Sequence, residues 1–444
     1  MKKRISLLLA AALLAGALSG CGGGESSSGG GTAAGAAGGG AAAAAGADSE
    51  AAKTENPGDR VTIKFVNGFT GGDGGFMTKI VDGFNESQSR YFVDQLITDD
   101  HYTKFKSDKF DLVIMHADWL STYIPDGLLR PVDDLYEKAG LSIDDWAEVT
   151  KSYVRMDGQL WAFPLDNFGY VMFYNKKYVD TPPSNYEELK ALSEKLDSAN
   201  TNVWAVGMPL AGETQWTLMS LLAQYDYDYM GDGYVDFNSP EAADILMNVH
   251  KWIYEDGISP ANLGVDDHCN LFITTADANT MQMALSLTGP WDYSNFAAVL
   301  GDDLGIAPVP VFGSHQAVNG SGHNFAVSAA CEDQAVLDGI AEFMKYVYQP
   351  DVLLNWADAG QAPNFKAAME AVKAQPDKYA TAVNTYSIIN DIKVLPGFYN
   401  VRNQVTNLKE NVWTEIVTNP DLTAETLLPF LEKATKYAEE IAEQ

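Results

Sequence analysis

Val61-Thr62-Ile63-Lys64-Phe65-Val66-Asn67-Gly68-Phe69-Thr70-Gly71-Gly72-Asp73-Gly74-Gly75-Phe76 carries the first clear structural signal in the chain. Val61, Ile63 and Phe65 alternate with polar residues, the period-two pattern of a half-buried strand. The glycines from Gly71 to Gly75 then form a tight loop, and Phe76, Ile80, Val81 and Phe84 recur at helical spacing. A strand, loop and helix in that order predict an α/β unit. A second strand is centred on Asp111-Leu112-Val113-Ile114-Met115 and ends at His116-Ala117-Asp118-Trp119. Repeated alternation of this kind argues for a largely parallel sheet.

Working outward, Tyr170 to Tyr174 reads as a further strand, after a hairpin-like stretch from Gly158 to Pro164. Ser184 and Glu187 have capping-box spacing for a helix through about Leu196. Ser239-Pro240-Glu241 predicts another helix start, with a cap, a first-turn proline and an acid at the positive end. The last eighty residues read as mostly helical, and Pro429 predicts a kink or restart within Thr423 to Ala442.

Toward the N-terminus, Lys2, Lys3 and Arg4 precede an apolar run from Ile5 to Leu18 that is short for a membrane span. Residues 1–20 therefore read as a secretory signal. Leu18-Ser19-Gly20-Cys21 resembles a bacterial lipobox, which would make Cys21 the lipidated (palmitate-type) mature N-terminus. Residues 21–59 follow as a Gly/Ala/Ser-rich tether, with too little apolar content to form a core. The expected place is the extracellular face of the cell membrane, or the periplasm where an outer membrane exists.

The net charge of −31 repels nucleic acid and anionic lipid surfaces, which excludes a nucleic-acid partner. Of three cysteines, Cys21 is assigned to lipid, while Cys269 and Cys331 fit either a disulfide or two buried thiols. The loop at Thr70 to Gly75 lacks the Gly-Lys-Ser/Thr ending of a phosphate loop. A calcium loop beginning at Asp226 fails at Met230 and Phe237. No zinc, Cys-x-x-Cys or Gly-x-Ser-x-Gly motif occurs, and the histidines are scattered along the chain. No catalytic residue, metal site or cofactor is expected.

Aromatics carry the functional signal. Trp119, Trp161, Phe168, Trp216, Trp291 and Tyr399 stand at expected strand ends or loops, where open α/β sheets hold ligands. Asp118, Asp166, Glu213 and Asp292 lie close to several of them in sequence. Aromatic faces pack on the C–H faces of sugar rings, and carboxylates accept hydroxyl protons. Trp146, Trp204, Trp252 and Trp413 read instead as packing residues.

These strings, in order, resemble the extracellular solute-binding proteins of carbohydrate ABC transporters, the group that includes maltose-binding protein. They are Phe69 to Gly74, Val113 to Asp118, Pro164-Leu165-Asp166 before Phe173 to Lys176, Phe237 to Ala242, and Thr288 to Trp291 before Gly305 to Pro310. The resemblance implies an α/β, two-lobed periplasmic-binding-protein-like (type II) fold with a ligand cleft between the lobes. It implies lobes of 60–166 plus 312–356 and 167–311 plus 357–444. It also implies a monomer that binds a sugar or oligosaccharide and delivers it to permease subunits, without catalysis. The ligand-binding residues expected are Asp73, Asp118, Trp119, Asp166, Glu213, Trp216, Trp291 and Tyr399. Trp119 departs from the maltose-binding pattern. A binder of a non-sugar solute such as a peptide or polyamine, and a glycan-active surface enzyme, are the alternatives.

Overall fold

A computed structural model describes residues 56, 58–107, 109–199, 202–211, 214–274 and 280–444. The signal region, Cys21, the tether through residue 55 and Glu213 lie outside the described residues. In chain order the strands that matter here are β1 (Val61–Asn67), β2 (Tyr91–Ile97), β3 (Leu112–His116), β4 (Ala162–Pro164), β5 (Phe168–Gly169) and β6 (Val171–Asn175). They continue with β7 (Leu285–Thr288), β8 (Leu304–Pro308), β9 (Val318–Ser321), β10 (His323–Val327) and β11 (Ile392–Val394).

The first sheet runs β2-β1-β3-β10-β4. β1 is parallel to β2 and β3, whereas β10 runs antiparallel to both β3 and β4. The largely parallel sheet expected from the sequence is therefore mixed, because a strand from two hundred residues downstream enters its centre. Helix α1 (Gly74–Ser87) buries Met77, Ile80, Val81 and Phe84, while Phe76 stays only partly covered. Two three-stranded sheets are antiparallel β7-β6-β8 and mixed β11-β9-β5.

Two large apolar cores result. The first holds Ile63, Phe65, Ile114, Phe163, Phe325, Phe343 and Trp356. The second holds Phe168, Met172, Trp216, Trp252, Val318, Ile392 and Trp413. The chain changes core between Leu165 and Phe168 and again between Val318 and Phe325, and it re-enters the second core at Ile388 after a smaller cluster around Val372 and Tyr386. Phe312 packs on the second core.

Local signals resolve in part as expected. Ser239 accepts a hydrogen bond from the Ala242 N–H and opens the helix Pro240–Tyr254. At the earlier helix the cap is shifted by one residue. Asn185 accepts from the Glu188 N–H, and Glu188 accepts from Ser184 N–H and Oγ. Helix Ala424–Ala442 continues through Pro429. Strand β11 interrupts the helical C-terminal region, because its alternating Ile392-Lys393-Val394 adds to the edge of β9. Cys269 and Cys331 are both free thiols. Among the described residues no helix is long and apolar enough to cross a membrane.

Candidate functional site

A cavity of about 360 Å³ has walls from both cores. Phe69 and Ile114 come from the first, Phe168 and Trp216 from the second. The loop between β1 and α1 supplies Gly68, Phe69, Thr70, Gly71 and Asp73. Asp73 is buried and accepts a hydrogen bond from Gln361 Nε2 at 3.0 Å. Burial raises its carboxyl above the usual range, against the pull of His323. Gly68 is required here, because a Cβ at that position would fall 2.3 Å from the His101 ring.

On the opposite side, Gly289-Pro290 turns the chain out of β7 and presents Trp291. A Cβ on Gly289 would sit 2.1 Å from the indole, so the turn admits no side chain. Trp291 is half-buried and meets Phe168 edge-on, centroids 5.6 Å apart at 84°. Trp216, 3% exposed near the start of the helix Gln215–Gln224, packs edge-on to the same phenyl ring at 5.9 Å. The Arg402 guanidinium lies over Trp216 at 5.3 Å and donates to Asp118 Oδ2 at 3.0 Å. Ser321 Oγ donates to the other Asp118 oxygen at 3.3 Å.

The expected residues divide three ways. Asp73, Trp216 and Trp291 line the cavity together. Asp118 and Asp166 are fully occupied by protein partners. Asp118 is ion-paired to Arg402 and faces a second cavity of about 610 Å³, beside Tyr153 and Tyr227. Asp166 has no exposed surface and accepts from the His323 N–H and Nδ1 and from Trp356 Nε1. Trp119 and Tyr399 stand outside the lining. Trp119, in helix α3 (Ala117–Tyr123), packs on Tyr102 and Tyr123. Tyr399 Oη donates to Asp126 Oδ1 at 3.0 Å, joining residues from opposite sides of the cleft. Trp161 donates to the Met156 carbonyl and packs on the first core.

Sequence reasoning missed His101, His116, His323 and Arg402, all of which line the cavity. The available signal was position: His101 follows β2, His116 ends β3 and His323 begins β10. Burial lowers the His101 imidazole to about 4, and His116 is held well below the usual value by burial and by nearby His323 and Arg402. Trp291 also borders a third cavity, of about 630 Å³, with His268, Asp292 and Lys409. Among the described residues no group of acidic, histidine and cysteine side chains is arranged to hold a metal ion.

Residues 100–383 match the family model of the bacterial extracellular solute-binding proteins. A maltotriose-binding protein of Pyrococcus abyssi (strain GE5 / Orsay) is 27% identical over 210 residues, covering 45% of this chain and 42% of that protein. The sn-glycerol-3-phosphate-binding periplasmic protein UgpB of Yersinia pestis is 20% identical over 347 residues, 70% of this chain and 76% of its own length. Among solved structures, maltose-bound T. maritima MalE3 superposes with a TM-score of 0.72 at 16% identity, covering 85% of this chain and 99% of that one. UgpB from Mycobacterium tuberculosis, in complex with glycerophosphocholine, gives 0.71 at 16% identity, covering 87% and 98%. At such identities these structures establish the two-lobed α/β fold.

Proposed function

The chain belongs to the bacterial extracellular solute-binding proteins, and from that premise we propose that it captures a sugar or oligosaccharide between two lobes for an ABC importer. The observation that carries this reading is the cavity itself. It pairs the half-buried Trp291 ring and its neighbours Phe168 and Trp216 with the polar loop around Asp73. A flat apolar surface facing hydrogen-bonding groups suits a ring with one C–H face and a rim of hydroxyls. The maltotriose-binding relative and the maltose-bound structural neighbour support the same ligand class.

The lobes we assign are 60–166 plus 322–356, and 167–321 plus 357–444. Residues 312–321 go with the second lobe, since Phe312 and Val318 pack in its core. Closure about the crossings near 166 and 322 sets the Trp291 segment against the Asp73 loop, as here, where the Trp291 carbonyl oxygen lies 3.6 Å from the place of a Cβ on Gly72, and the closed form is what the permease subunits recognise. Binding makes and breaks no covalent bond. Asp73, Trp216 and Trp291 are assigned to ligand contact, and Asp118 and Asp166 to holding Arg402 and His323 in place. Glu213, Trp119 and Tyr399 remain rim candidates for a longer ligand.

An anionic solute is the second reading, favoured by the sn-glycerol-3-phosphate-binding relatives and by Arg402 in the wall. The charge balance argues against it, because the Arg402 guanidinium is already neutralised by Asp118. Calorimetric titration of the soluble chain with mono- to tetrasaccharides and with sn-glycerol 3-phosphate tests both. Micromolar sugar binding without cleavage products is the expected result. Binding of the phosphate alone, or hydrolysis of the sugar, overturns the proposal.

The address is likewise proposed: a signal of residues 1–20, lipid on Cys21, and a tether holding the monomeric domain outside the membrane. Cys21→Ser should move the protein from the membrane to the soluble fraction or leave an uncleaved precursor, visible by cell fractionation and immunoblot. Membrane retention of a lipid-modified Cys21→Ser protein would show the assignment to be wrong.

A further inference from the structure

Three of the chain's six histidines, from three separate stretches, line the 360 Å³ cavity. His116 and His323 are register partners between β3 and β10, which sets their rings 4.9 Å apart. Each ring is held at Nδ1 by a different kind of partner, and the difference fixes its tautomer.

At His116, the Tyr102 hydroxyl oxygen accepts the His116 backbone N–H at 3.0 Å and lies 2.5 Å from Nδ1. The hydroxyl proton is then directed at Nδ1, which acts as acceptor. In a neutral imidazole the ring proton therefore sits on Nε2. At His323, Nδ1 lies 3.0 and 2.9 Å from the two oxygens of Asp166, which also accepts from the Trp356 indole. A carboxylate accepts only, so Nδ1 donates, and Nε2 carries a lone pair only while the ring is uncharged. Neither Nε2 has a protein hydrogen bond among the described residues. His101, 6% exposed, adds a third ring to the same cavity.

We propose that His323 is uncharged in the occupied cavity, and that His116 and His323 read a pair of neighbouring hydroxyls on an uncharged ligand. His116 Nε2–H donates to one oxygen, His323 Nε2 accepts the proton of the next, and His101 meets a third. This deepens, and rests on, the carbohydrate reading of the same cavity. Hydroxyls both donate and accept, so they satisfy a donor set beside an acceptor. Ionised carboxylates only accept, and they would meet the His323 lone pair.

Long-range ¹H–¹⁵N imidazole spectra of the soluble chain read the tautomers directly. The expected result is a proton on Nε2 of His116 and on Nδ1 of His323. Titration with maltotriose, and separately with glycerol as a minimal polyol, should shift both Nε2 resonances, while acetate should leave them in place. His116→Asn, which keeps a polar atom toward Tyr102 but none at the Nε2 position, should weaken sugar binding about 10- to 30-fold. His116→Gln, which restores a donor there, should recover most of it. Matching tautomers at the two rings, a His323 still protonated on both nitrogens with maltotriose bound, a larger response to acetate than to either polyol, or wild-type affinity in His116→Asn would overturn the proposal. So would Nε2 resonances that neither polyol moves. Glycerol shifting both resonances while no saccharide binds would leave the hydroxyl pair standing and remove the carbohydrate reading.

Discussion

The two walls of the cleft are built differently. On the side of the first core, residues 68 to 116 contribute a glycine-rich loop, a buried carboxyl and two histidines with little apolar area besides Phe69 and Ile114. On the side of the second core, Phe168, Trp216 and Trp291 form a run of edge-to-face rings, with Arg402 as the charged group. The polar wall suits recognition of hydroxyl positions, because its donors and acceptors are fixed from behind. The aromatic wall suits general affinity, since ring stacking scales with area and tolerates variation in the ligand. A solute-binding protein built this way separates what it recognises from how tightly it holds.

The sharpest way to break that contrast is a pair of tryptophan variants. Trp252 is 1% exposed in the second core, and Trp252→Ala should cost about 3–5 kcal/mol of folding stability, with the folded fraction still binding. Trp291→Ala should instead cost about 2–4 kcal/mol of binding, roughly 30- to 1000-fold in Kd, with a smaller change in melting temperature. Thermal melts and calorimetric titration separate the two. Wild-type affinity in Trp291→Ala would assign that ring to packing.

Acid tests the polar wall next. His101 and His268 are buried and lowered to about 4 from a usual 6.5. Between these values the unfolded chain binds protons that the folded chain does not. Stability is therefore full above pH 6.5 and declines as pH falls toward 4, by on the order of a few kcal/mol in total. Denaturant melts across that range should show the slope. His101→Gln should remove its own share of it and leave those of His116 and His268; an unchanged slope in His101→Gln would place the titrating groups elsewhere.

Smaller effects concern contacts that span the cleft. Asp118→Asn removes the negative charge from the 3.0 Å contact with Arg402, whose side chain is 21% exposed. A loss of about 1–2 kcal/mol is expected, appearing in stability as well as in affinity. A change confined to affinity would mean that Asp118 contacts ligand directly. Tyr399→Phe removes only the bond to Asp126 and should change either quantity by less than about 1 kcal/mol. A larger loss of affinity would make Tyr399 a ligand contact after all.

Much of the fold was legible from local pattern. Val61–Asn67 alternates, α1 carries its apolar face at helical spacing, and Ser239-Pro240 opens its helix as read. The mixed character of the first sheet was not legible, because β10 is defined by its partners rather than by its own composition. The lining of the 360 Å³ cavity was legible where backbone and side chain share one short segment, as in Gly71-Gly72-Asp73 and Gly289-Pro290-Trp291. It was not legible for Trp119 and Tyr399, whose half-buried rings and hydroxyl found other partners.

Taken alone, the sequence determined the alternation of strands and helices, the excess of acid, and the glycines that let a loop and an indole approach closely. These depend on residues within a few positions of one another. Tertiary structure alone decided that His116 faces His323, that Arg402 is neutralised by Asp118, and that Asp166 lies behind the cavity rather than in it. Each of those facts joins residues more than 150 positions apart. Strand register and the passage of the chain between two cores set such pairings, and no local period encodes them.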